Sequence, residues 1–326
     1  MSSPTDPGAA AHAGTWVRLR EEANVSLDAN RVDPAAPPGP SDLPVLLERG
    51  EVVYYPVCPF PLLNEADRIF LLGQELGRAA HKNISYDPSS GRAGGFAHRS
   101  AEQANRLHQV LATFSSRATE WLGRVLPRYR DGWRLDRVSF RPVEEATRVA
   151  RISARNDLLH VDAFPTRPTN GWRLLRVFLN INPTDARIWV TSEPFAKLLE
   201  RYGEQAGLPG RTNHLGWASR LLETSLRLFR PGRAARSVYD SFMLRFHHFL
   251  KHCEDLQERG LKRVWHFPPG SAWLAMTDTV SHAVLRGRYA LEHSYFVDPE
   301  TLALPEESPP ALLARACGRP VVRRAA

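Results

Sequence analysis

The chain has 326 residues, 43% of them apolar and 24% charged, an ordinary globular composition that excludes a disordered, collagen-like or fibrous protein. Lysine and arginine number 43 against 35 aspartate and glutamate, and the net charge of +8 favours anionic partners: nucleic acid, acidic headgroups or acidic small molecules. Three scattered cysteines without a C-x-x-C exclude a disulfide scaffold and a thiolate zinc site, and no apolar stretch approaches the ~20 residues that cross a bilayer.

Residues 1–44 are rich in Pro, Ala and Ser and read as a flexible leader. Glu51-Val-Val-Tyr-Tyr55 is a strand candidate, and Asn64 a helix N-cap ahead of a periodic run from Ala66 to about Ala80. Ser89-Ser-Gly-Arg-Ala-Gly-Gly95 has the glycines of a phosphate loop, but no Lys-Ser/Thr follows, and it reads as a mobile loop. A second helical run spans Ala101 to Leu126 and stops at Pro127.

From Asp136 the period shortens to that of strands: Asp136–Pro142, Leu158–Asp162, Arg173–Asn182 and Arg187–Val190. Helices return over residues 194–263, first with Trp217, Leu221, Leu222 and Leu226, then more cleanly with Tyr239, Phe242, Met243, Phe246, Phe249, Leu250 and Leu256. Val264–Phe267, Ser271–Thr277, Val280–Leu285 and Tyr289–Val297 close the pattern, the last two reading as a hairpin about Arg286-Gly287. Residues 303–326 carry prolines and arginines and read as a mobile basic tail. The organisation is therefore one mainly β core at 45–302, preceded by helices and interrupted by a helical insertion.

The chemistry points to His160-Val-Asp162 and His282. Two imidazoles and a carboxylate with open positions left over are the facial triad of non-haem iron(II), and residues two apart on a strand face the same side. With twelve histidines and 35 acidic residues in 326, about one H-x-[DE] pair is expected by chance; the sequence has two. The other, His252-Cys-Glu254, lies in a helical run, where such residues diverge. His247, His248 and His266 read as surface or capping histidines, and His293 as a satisfied sheet histidine.

Lys82-Asn-Ile-Ser-Tyr86, Arg155-Asn-Asp-Leu-Leu-His160, His160-Val-Asp-Ala-Phe-Pro-Thr-Arg-Pro168, Arg173-Leu-Leu-Arg-Val-Phe-Leu-Asn-Ile-Asn-Pro183 and Thr277-Asp-Thr-Val-Ser-His-Ala283 resemble the Kdo hydroxylase family, in order, over about residues 45–300. The resemblance implies a double-stranded β-helix (a cupin-like jelly roll) that hydroxylates carbon 3 of the sugar acid Kdo, giving Ko, on a lipid A precursor. It implies iron(II) on His160, Asp162 and His282, with 2-oxoglutarate and O2 as cosubstrates and ascorbate as a reductant. It also implies a cytoplasmic protein, peripheral on the inner membrane of a Gram-negative bacterium, with no nucleic-acid partner.

The distal carboxylate of 2-oxoglutarate needs a cation. Arg176, sixteen positions after His160, and Arg288, six after His282, fall where the wider superfamily keeps one. A hairpin at Arg286-Gly287 would put Leu291 opposite His282 and Arg288 toward the turn, which favours Arg176, with Arg167 third. Lys82 and Tyr86 are candidate sugar contacts. Residues 201–263 hold twelve Lys/Arg against six Asp/Glu, so Arg220, Arg227, Arg230, Arg233, Arg236 and Arg245 are candidates for steering an acidic saccharide or meeting headgroups. The rivals are a 2-oxoglutarate dioxygenase with another substrate, such as a protein side chain, and a non-catalytic barrel that binds an anionic ligand.

Overall fold

From residue 133 onward the chain passes back and forth between two antiparallel sheets, and the burial of its strands shows why. The computed structural model describes residues 42–78, 80, 82–97, 100–208 and 236–323. In chain order it contains α1 (Asp42–Glu48), β1 (Val53–Tyr55), α2 (Glu65–Leu72), β2 (Ile84–Asp87), β3 (Arg92–Gly94) and α3 (Ala101–Val125). There follow β4 (Trp133–Arg141), β5 (Arg173–Asn180), β6 (Arg187–Pro194), α4 (Phe195–Tyr202) and α5 (Val238–His252). The last elements are β7 (Arg263–Phe267), β8 (Ala272–Met276), β9 (Val280–Arg286), β10 (Ala290–Val297) and α6 (Pro309–Cys317).

The larger sheet runs β1-β8-β5-β10-β4-β2-β3 and the smaller β7-β6-β9. A single bridge between His160 and His282 adds a fourth position beside β9. Consecutive segments thus change sheets: β4, the His160 bridge, β5, β6 with β7, β8, β9, β10. This winding is the double-stranded β-helix, or jelly roll. Among the described residues no helix is long and apolar enough to cross a membrane.

Alternation along the strands divides the molecule into three layers of contact. Val138, Phe140, Leu175, Val177, Leu291 and Tyr295 face outward and pack under α3 through Leu107, Leu111, Phe114 and Leu122. α4, α5 and α6 cover the other sheet with Leu198, Phe242, Phe246, Leu250 and Leu313. Between the sheets, one end is filled by Phe178, Trp189, Trp265, Phe267 and Trp273. Phe267 and Trp273 stack there with centroids 3.9 Å apart.

Local signals account for the helix ends. Asn64 Oδ1 accepts from Asp67 N at 2.8 Å, and Ser237 with Asp240 closes a capping box on α5. α2 stops at Leu72 and does not reach Ala80. Gly73 caps it, and Gly77 then lies so near Phe96 that a Cβ would sit 2.6 Å from the Phe96 carbonyl oxygen.

Three further expectations need correction. β9 and β10 are not a hairpin: β9 pairs with β6, whereas β10 is inserted between β4 and β5. Gly287 (φ +117) and Tyr289 (φ +62) turn the chain from one sheet to the other, and both strands are buried almost throughout, as central strands are. The glycine-bearing stretch after Asp87 is an ordered β2–β3 hairpin, its turn closed by Ser89 donating to Asp87.

The tail, too, is docked as far as Arg323. Leu313, Cys317 and Val321 are buried against α4 and α5, and Glu48 accepts from the amides of Ala303 (2.8 Å) and Leu304 (2.6 Å). Three apolar residues at a spacing of four give too short a period to stand out among the prolines and arginines. The leader and the run containing Trp217, Leu221, Leu222 and Leu226 lie outside the described residues.

Candidate active site

The segment that carries His160 and Asp162 is not a regular strand. Apart from the His160 bridge it has no ladder, and its polar backbone is satisfied piecemeal. His160 exchanges two backbone hydrogen bonds with His282 (3.1 and 2.9 Å), and Asp162 N donates to Thr277 O at 2.8 Å. On the other side the buried Gln257 amide replaces a neighbouring strand, accepting from Leu159 N at 3.0 Å and donating to Leu159 O at 2.8 Å. His247 Nδ1 donates to Val161 O at 2.7 Å. The turn that supplies Thr277 is itself fixed, because the fully buried Arg173 holds Asp278 at 2.7 Å.

These ties bring the three predicted ligands together. His160 Nε2 lies 3.7 Å from Asp162 Oδ1, and His282 Nε2 lies 3.7 Å from Asp162 Oδ2. The two imidazole centroids are 4.7 Å apart. Each Nδ1 faces a carbonyl that can only accept, Leu158 O at 2.6 Å for His160 and Val280 O at 3.1 Å for His282. Nδ1 therefore carries the proton, and Nε2 presents its lone pair toward Asp162.

Burial lowers both imidazoles below the usual histidine range, which keeps them neutral. Burial alone would raise the Asp162 carboxyl, but its neighbours, the Arg176 guanidinium first among them, outweigh it and hold Asp162 far below the usual carboxylate range. Two neutral imidazoles and a carboxylate are the protonation states that metal ligation requires. Asp162 Oδ2 is buried and accepts no well-formed hydrogen bond, although Arg176 Nη2 lies 3.2 Å from it, so the oxygen keeps lone pairs that suit a metal. The donor set fits a divalent iron held by His160, Asp162 and His282.

A cavity of about 270 Å³ opens from these residues between the sheets. Three buried arginines form one wall: Arg141 from β4, Arg176 from β5 and Arg187 from β6. Glu292 from β10 accepts from Arg141 Nη2 and Arg176 Nη1, both at 2.7 Å, and Glu145 lies 3.6 Å from Arg141. Arg176 also reaches Asp162 at 3.2 Å. Burial would raise the Glu292 carboxyl, yet the two guanidiniums hold it down at about 2.

Arg187, 1% exposed, donates to Gly287 O at 2.7 Å and has no carboxylate partner among the described residues. Desolvation, then the neighbouring Arg141, lowers it to about 10. Glu145 is shared with Arg148 at 2.9 Å, and of the three wall arginines only Arg187 has no carboxylate within ion-pair distance among the described residues.

The other predicted residues separate. Lys82 lines the cavity at its mouth; so does Arg167, which pairs with Asp136 over the Phe164 ring. Arg288 does not: it is exposed and stacks on Tyr289 at 3.8 Å, because β10 leaves for the other sheet just after it. Tyr86 does not line the cavity either. It shares with Ile84 the outward face of β2, 5.3 Å from His108 of α3. Arg220, Arg227, Arg230 and Arg233 lie outside the described residues. Arg245 donates to Gly207 O and Arg236 to Pro165 O.

His247, expected at the surface, is buried and lines the cavity beside His160, centroids 4.8 Å apart. His293 turns outward to Ser115 of α3 at 2.7 Å, a satisfied sheet histidine. Arg141, Arg187 and Lys251 of the cavity were not singled out from the sequence. Strand alternation offered a signal for Arg141, since Val138 and Phe140 beside it must face the helix.

Comparison with known proteins agrees with this geometry. The family model for 3-deoxy-D-manno-oct-2-ulosonic acid (Kdo) hydroxylase matches residues 36–320. The solved Kdo hydroxylase KdoO, a non-haem Fe(II) α-ketoglutarate-dependent dioxygenase, is similar in complex with α-ketoglutarate and Fe(III). That likeness has a TM-score of 0.76 at 33% identity over 88% of this chain and 92% of that one. The cobalt(II) complex of KdoO gives 0.77 at 33% identity over 88% and 93%. No curated protein matches the sequence. Fold and family model agree, and the chain belongs to the Kdo hydroxylase family.

Proposed function

We propose that this chain is an iron(II)- and 2-oxoglutarate-dependent hydroxylase that converts Kdo to Ko at carbon 3, on a Kdo-bearing lipid A precursor reached from the cytoplasmic face of the membrane. The observation that carries the reading is the convergence of His160, Asp162 and His282 in a cavity walled by buried arginines, one of which, Arg187, has no carboxylate partner among the described residues. Iron with 2-oxoglutarate, when bound, supplies the chemistry that converts the keto acid to succinate and carbon dioxide and inserts one oxygen atom into a C–H bond. The chain's own residues hold and orient. His160, Asp162 and His282 keep the metal, with their tautomers fixed by Leu158 O and Val280 O.

In this reading Arg176, the arginine nearest the ligands, takes the distal carboxylate of 2-oxoglutarate, with Arg141 and Arg187 completing the wall. Glu292 keeps Arg141 and Arg176 in place before the cosubstrate arrives. Arg176→Ala should raise the 2-oxoglutarate concentration needed for turnover by roughly tenfold or more, since a charge-assisted pair is lost. An unchanged requirement moves the anchor to Arg187.

The test of the function is incubation with Kdo–lipid A, iron(II), 2-oxoglutarate and air, followed by mass spectrometry. The expected product is Kdo heavier by one oxygen at carbon 3, formed in step with succinate. Unmodified Kdo–lipid A, with succinate released only when a protein substrate is supplied, would favour the side-chain hydroxylase.

A further inference from the structure

The arginine wall does not exhaust the positive charge of the cavity. Helix α5 presents His247, His248 and Lys251 to the cavity along one face. Lys251 is 4% exposed, and its ammonium makes one hydrogen bond, to Ser153 O at 3.1 Å. Lys82, ahead of β2, enters from the mouth. Among the described residues neither lysine has a carboxylate partner; Lys82 is exposed, whereas Lys251 is buried, and lysines are almost never buried unless paired. Desolvation, helped by the charge of Lys82 and opposed by that of Asp162, brings Lys251 down to about 8. Two ammoniums on the lining of one cavity, neither within ion-pair distance of a carboxylate, are an arrangement that a bound anion would stabilise.

We propose that Lys251 and Lys82 form a second anion site, distinct from the arginine wall, which takes the carboxylate of the sugar acid and sets carbon 3 over the metal ligands. The inference rests on the proposed function and specifies how its substrate is held. The two sites differ in kind. The arginines are planar and buried, Arg141 and Arg176 held by Glu292 and Arg187 by Gly287 O, whereas Lys251 keeps two of its three N–H donors for a ligand. Kdo suits the second site chemically, because its carbon 3 lies only two bonds from the carboxyl carbon. A carboxylate gripped within Coulombic reach of Asp162 places the neighbouring methylene near the metal.

The test is binding of the methyl glycoside of Kdo, and of its methyl ester, to cobalt(II)- and 2-oxoglutarate-loaded protein without oxygen, read from the cobalt visible spectrum. Wild type should respond to the acid at a concentration roughly 10- to 100-fold lower than to the ester, the range expected when a hydrogen-bonded charge is lost. Lys251→Gln should respond to the two alike, and Lys251→Arg should restore most of the preference. Lys82→Gln provides the same comparison should the Lys251 variants misfold. A wild type that ignores both ligands would overturn the functional reading itself. A wild type that prefers the acid, with Lys251→Gln and Lys82→Gln both keeping that preference, would overturn the lysine site alone.

Discussion

The two ends of the space between the sheets are built from the same strands and have opposite characters. On β5, Arg176 points to the metal ligands, and Phe178, two residues on, stacks against Trp273 at 5.2 Å. On β6, Arg187 belongs to the arginine wall, and Trp189, two residues on, packs in the aromatic end while also lying 5.3 Å from the His282 ring. The aromatic end removes apolar surface from water and holds the sheets together. The charged end buries guanidiniums and carboxylates, which stabilises little and leaves Arg187 without a carboxylate partner among the described residues. The fold thus keeps stability and chemistry on one inward face, a few ångströms apart.

That division can be broken from either side. Asp162→Ala should abolish succinate formation in the presence of substrate while the protein still folds, since no packed volume is lost, and its denaturation midpoint should fall because Arg176 loses one of its two carboxylates. Turnover at the wild-type rate would remove Asp162 from the site. At the other end, Trp273→Ala should cost about 3–5 kcal/mol, the usual loss for a buried tryptophan. Urea unfolding would read it, and a loss below 1 kcal/mol would mean that the aromatic stack does not hold the sheets.

Acid should sharpen the contrast. Glu292 is held at about 2 by its two arginines, below the ordinary 4.5. Below 4.5 the unfolded chain therefore takes up this proton more readily than the folded one. The associated stability, about 3 kcal/mol from the size of the shift, is present above pH 4.5 and lost as pH falls toward 2. Unfolding of metal-free protein across that range should be less steep in pH for Glu292→Gln than for wild type. An identical slope would show that the pair does not bias folding.

Much of this was legible in the sequence. The Asn64 cap of α2, the α3 run ending at Pro127, the β5 run and the helical pattern of α5 follow from period, cap and proline, and His160-Val-Asp162 with a later His282 pointed to the candidate ligands that the fold brings together. The remainder depended on long-range partners. The ligand segment looks like a strand, yet its neighbour is the side chain of Gln257, nearly a hundred residues away. The β9–β10 pair looked like a hairpin because Arg286-Gly287 is a turn signal, and turn chemistry does not say which sheet receives the next strand. Arg187 and Lys251 could not be told from surface cations by type. Only the path of the backbone buries them, and their lack of carboxylate partners can be seen only in three dimensions.

The proposed function requires one metal held by three residues, and anaerobic titration with iron(II) and 2-oxoglutarate tests that most directly. Wild type should develop the weak visible band of the chelate, saturating near one iron per chain, and His160→Ala should develop none. A band that survives in both His160→Ala and Asp162→Ala would contradict the assignment and place the iron elsewhere.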